Sequence, residues 1–107
     1  MAWKTLDVPI YGVHIEAHRN RRSLAASIGE EVEIGDNVNG CCVLFDEADG
    51  ASIIMGWFDD RRSTLVHECC HAALFILNRA GIDPRDSDGE TMSYLLGYLV
   101  TQLGIDR

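Results

Sequence analysis

Alternation of apolar and polar positions divides the first half of this 107-residue chain into short extended segments. Residues 6–17 carry Val8, Ile10, Val13 and Ile15 at the spacing of a strand. Pro9 and Gly12 within that stretch place the strand at a sheet edge or give it a bulge. Residues 20–28 read as a short helix ended by Gly29, whereas residues 30–39 give no periodic signal. Two apolar runs follow, 40–45 and 51–58, around Asp46-Glu47-Ala48-Asp49-Gly50. The Asp-Gly step suits positive φ, so these runs form a β-hairpin.

The period then changes to that of a helix. Leu65, Val66, Cys69, Ala72, Ala73, Ile76, Leu77 and Ala80 fill one broad arc at 3.6 residues per turn. This helix is expected over residues 61–80, with Asp59 and Asp60 beside its positive N-terminal end and Gly81 as the stop. After a loop around Asp83-Pro84, Ser87 or Asp88 can cap a last helix that runs to about Leu103 and is followed by Gly104. Strands first and helices last make a single α+β domain over residues 1–107.

His67, His71 and Asn78 lie opposite the apolar arc, with Glu68 and Arg79 beside them. His67-Glu68-Cys69-Cys70-His71 is an H-E-x-x-H motif. Two histidines four apart share a helix face, so both imidazoles can reach one metal ion, and the glutamate can reach a water there. So apolar a helix is expected to be largely buried, which would oblige these polar groups to find partners. Cys69 points away from the histidines and Cys70 lies nearly a quarter turn off, so neither is an expected ligand. Two imidazoles are too few for a catalytic zinc, which takes three protein ligands and a water. Glu90, in the first turn of the last helix, is the best third candidate if an αα-hairpin brings it over the histidine face. It shares a side with Tyr94, Gly97 and Thr101, and Gly97 would permit close helix approach. Asp83, Asp86 and Asp88 compete from the loop, and His14 and His18 are further possibilities.

Composition narrows the partners. At 47% hydrophobic and 24% charged residues the chain has the makeup of a soluble globular protein. A net charge of −8 argues against nucleic acid, whose phosphates need a positive surface. No apolar run has the length of a membrane span and no signal peptide is evident, so a cytoplasmic protein without a membrane partner is expected. The four cysteines, in the adjacent pairs Cys41-Cys42 and Cys69-Cys70, are then expected to be reduced and mostly buried.

Residues 65–98, from Leu-Val-His-Glu-Cys-Cys-His through Gly-Glu-Thr-Met-Ser-Tyr-Leu-Leu-Gly-Tyr, resemble small H-E-x-x-H zinc metallopeptidases of the gluzincin type, as encoded by bacteriophages and prophages. The resemblance covers about a third of the chain. It implies a minimal zincin-like domain: a short twisted sheet with a hairpin packed on a central motif helix, and a C-terminal helix carrying the third ligand. It further implies zinc held by His67, His71 and Glu90, Glu68 as general base, Tyr94 as oxyanion donor, and a peptide or protein substrate. A zinc-stabilised protein-binding domain without catalysis, or a zinc hydrolase of a non-peptide amide, are the alternatives.

Overall fold

The computed structural model describes residues 2–29, 34–35, 37–48 and 50–104. Four strands form one mixed sheet: β1 (Lys4–Val8), β2 (Val13–His18), β3 (Gly40–Glu47) and β4 (Gly50–Trp57), in the spatial order β1-β2-β4-β3. β1 and β2 pair antiparallel, β2 and β4 parallel, and β3 and β4 antiparallel, so β1 and β3 are the edges. Among the described residues three α-helices accompany the sheet, α1 (Arg21–Ile28), α2 (Arg62–Arg79) and α3 (Glu90–Gly104).

The single extended segment expected over residues 6–17 is two strands. Pro9 and Gly12 belong to the tight reversal between them rather than to a bulge. At the tip Ile10 takes φ +77 and is 99% exposed, a conformation that a β-branched side chain rarely adopts. The hairpin of β3 and β4 forms as expected, with Glu47 opposite Gly50 at its end.

Period-two alternation fixes which face is buried. Val13, Ile15 and Ala17 of β2 align with Ala51, Ile53 and Met55 of β4, and all six are buried. They pack under α2 and α3 through Leu65, Cys69, Ala72, Ala73, Ile76, Leu95, Leu99 and Leu103. The other face carries α1. Gly56 permits this: a Cβ there would lie 2.7 Å from Leu24 Cδ1 and 2.9 Å from the His18 carbonyl oxygen. Asn20 caps α1 by accepting a hydrogen bond from the Ser23 N–H at 2.8 Å. Buried His18 ties α1 to the sheet, with Nδ1 2.5 Å from Ser23 Oγ and Nε2 2.6 Å from the Glu16 carboxylate. The Ser27 hydroxyl donates to the same carboxylate, and these bonds, that of Ser27 foremost, hold Glu16 below the usual carboxylate range.

α2 stops where the glycine signal put it. Gly81, at φ +75, donates its N–H to Asn78 O, and Ile82 donates to Leu77 O, which closes the helix in a Schellman-type turn. The start of α3 differs from expectation. Ser87 and Asp88 both adopt left-handed backbone in a 3₁₀ turn, Asp86–Gly89, so neither is a helix cap, and α3 begins at Glu90. None of the helices is long and apolar enough to cross a membrane among the described residues.

Candidate metal centre

α2 presents the motif. Its buried side carries Leu65, Glu68, Cys69, Ala72, Ala73, Ile76 and Leu77, whereas His67 and His71 are exposed on the far side. The expectation is that His67, Glu68 and His71 do not all reach solvent, and it is Glu68 alone that is buried, while both histidines are exposed. The sheet takes one side of α2, α3 packs beside it, and the histidine side faces outward.

The two imidazoles converge. His67 Nε2 and His71 Nε2 lie 3.2 Å apart, with ring centroids at 4.8 Å. Zinc–nitrogen bonds of about 2.0–2.1 Å in a tetrahedral site put two nitrogens about 3.3 Å apart. The spacing of this pair thus fits two corners of such a site. Phe75 stacks on His71 from the next turn, its ring centroid 6.5 Å away at an interplanar angle of 27°.

Glu68 lies on the sheet side of the same turn. It is 6% exposed and meets the first residue of β3: a Cβ at Gly40 would fall 2.8 Å from Glu68 Oε2 and 3.0 Å from both Glu68 Cγ and Thr64 Cγ2. Only a glycine leaves room for the carboxylate there. Glu68 and His67 line a groove of about 420 Å³ with Asn39, Gly40, Ser63 and Thr64. Burial pushes the Glu68 carboxyl above the usual range, and the neighbouring His67 and His71 work in the opposite direction. Asp59 organises the approach to the groove, accepting hydrogen bonds from the Arg61 N–H at 3.1 Å and the Thr64 hydroxyl at 2.8 Å.

Glu90 and Tyr94 lie elsewhere. The expectation put their side of α3 against the histidine face, with Gly97 as the point of close approach. In the structure Leu95, Leu99 and Leu103 are buried instead, Glu90, Tyr94, Gly97 and Thr101 are all exposed, and a Cβ at Gly97 would meet nothing within 4 Å. Burial of the leucine side decides how α3 is rotated, and it turns the glutamate side to solvent. A Cβ at Gly104 would lie 2.9 Å from Leu65 Cδ2, so the last residue of α3 sits against the first turn of α2 and Glu90 is at the opposite end of α3. Tyr94, 76% exposed, lines a different groove of about 390 Å³ with Val8, Pro9, Tyr11, Thr91, Leu95 and Tyr98. Among the described residues no three His, Cys, Asp or Glu side chains gather so that they could hold a metal ion.

Of the remaining candidates, Asp86 and Asp88 are exposed in the 3₁₀ turn, and Asp83, His14 and His18 have other partners. Asp83 pairs with Arg85, whose side chain and backbone N–H hold its carboxyl below the usual range. His14 Nδ1 meets Asp7 at 2.6 Å on the surface, and His18 bridges to α1. All four cysteines are free thiols, with Cys69 in the core. Burial, and after it the Glu68 carboxylate, pushes the Cys69 thiol up to about 12 and raises Cys42 as well. Both are thus protonated at neutral pH.

Comparison of the chain with protein-family models, with curated proteins and with solved structures finds no match.

Proposed function

We propose that the chain is a zinc-dependent metallopeptidase whose His67 and His71 hold the metal and whose Glu68 is the general base. The observation that carries this reading is the convergence of the two Nε2 atoms at 3.2 Å, beside a groove into which Glu68 projects. When bound, zinc lowers the pKa of a water and polarises a scissile carbonyl. Glu68 takes the proton of the attacking water and delivers it to the leaving amine, a transfer helped by a carboxyl that burial has made more basic. Gly40 keeps space for that carboxylate, and the Asn39–Gly40 segment forms the wall facing α2. Among the described residues Glu90 is not gathered with the two histidines, so Glu90→Ala is expected to change zinc affinity by a few-fold at most.

Glu68→Gln tests the reading. The variant should bind zinc as the parent chain does and lose hydrolysis of a mixed peptide library by a factor of at least about 100. Full hydrolysis by Glu68→Gln would remove the carboxylate from the chemistry. The exposure of both imidazoles favours a second reading, a zinc-stabilised binding domain without catalysis. In that case the parent chain binds zinc and cleaves nothing in the library.

A further inference from the structure

The outward side of α2 is unlike an ordinary solvated helix face. Between Arg62 and Arg79 the only charged residue is Glu68, which is buried. The exposed positions are Ser63, Val66, His67, His71, Leu74 and Asn78, with Val66 37% and Leu74 38% exposed. In a chain that is 24% charged, a helix face without charge has the composition of an interface core. The same face holds two metal donors of the three or four that zinc requires, and the described residues bring no other to them.

We infer that one zinc ion can bridge two copies of this chain, each contributing His67 and His71, and that this closed dimer is the resting form of the site. The inference rests on the reading of the histidine pair as zinc ligands. Symmetry supports it. The midpoint of His67 and His71 along the helix is position 69, and the midpoint of Val66 and Leu74 is position 70. A two-fold axis across α2 at that level sets Val66 of one copy against Leu74 of the other. It also puts both histidine pairs on the same flank of the contact.

Magnitudes favour a dimer that depends on the metal. Eighteen residues of helix span about 27 Å, and a strip about 10 Å wide offers roughly 270 Å² per copy. That is well short of the roughly 800 Å² per partner of a stable interface. Each copy carries a net charge of −8, so association without a cation is opposed by repulsion, whereas a shared dication reduces it. Four imidazoles leave no open position on zinc, so the dimer is closed to substrate and the chain with its own ion is open.

The test is zinc titration of the metal-free protein, with mass followed by sedimentation velocity and bound zinc by elemental analysis. The metal-free chain should sediment at 11.9 kDa and reach twice that mass at one zinc per two chains. It should return toward the single-chain mass in excess zinc, when each pair takes its own ion. Leu74→Glu should bind one zinc per chain without doubling its mass and with unchanged helix content. One zinc per chain with constant mass at every ratio overturns the bridge and leaves the zinc reading standing. No zinc bound removes both. A dimer that persists after chelation and in His67→Ala also overturns the bridge, since apolar contact alone would then hold it.

Discussion

Glu68 is buried between the first residue of β3 and the first turns of α2, and burial raises its carboxyl above the usual range. A carboxyl raised by folding binds its proton more tightly in the native state. Its contribution to stability is therefore full below the unfolded-state value near 4.5 and is lost as pH rises through the folded-state value. Glu68→Gln should accordingly raise the melting temperature at pH 7 by a few degrees, and the gain should vanish as pH falls to about 4. Thermal unfolding of the metal-free proteins across that range checks it. An equal gain at both pH values would assign the effect to packing rather than ionisation. The catalytic candidates were legible in the sequence because their relation is local: four residues of helix bring two histidines together whatever surrounds them. Gly40 was not legible. It lies 28 positions before Glu68, and a glycine opening a strand reads as punctuation until the carboxylate beside it is seen.

The elements divide in the same way. The hairpin, the motif helix and its Gly81 stop follow from turn chemistry and period, and they stand where the pattern puts them. The rotation of α3 does not follow from its own sequence alone. Its two sides are plain, but the position of the Glu90 side depends on which neighbours the leucines find, and they find α2 and the sheet. The β1–β2 reversal is hidden in the pattern because apolar Ile10 continues the alternation through a turn in which it is 99% exposed. Packing of α1 on the sheet depends on Gly56, where an added Cβ would meet a backbone carbonyl that cannot yield by rotation. Gly56→Ala should cost about 1–3 kcal/mol in urea denaturation, the range for overpacked sites. Stability unchanged to within about 0.5 kcal/mol would show that α1 shifts without cost.

At the scale of the whole molecule, the order of strands and helices along the chain pointed to an α+β domain but not to the sheet order. β2 lies parallel to β4, and α1 and β3 come between them in sequence, an arrangement set by long-range burial of Ile15 against Ile53 and Met55 rather than by any local signal. That order makes β3 an edge beside the motif helix and opens the groove where Glu68 meets His67. It also leaves the histidine pair at the surface. The most direct measurement is bound zinc in the purified, reconstituted chain beside His67→Ala and His71→Ala. Between half an ion and one ion per parent chain is expected, with at least about a tenfold weaker affinity in each variant, the usual scale of losing a coordinating group or its support. Zinc absent from the parent chain, or held equally well by both variants, would contradict it.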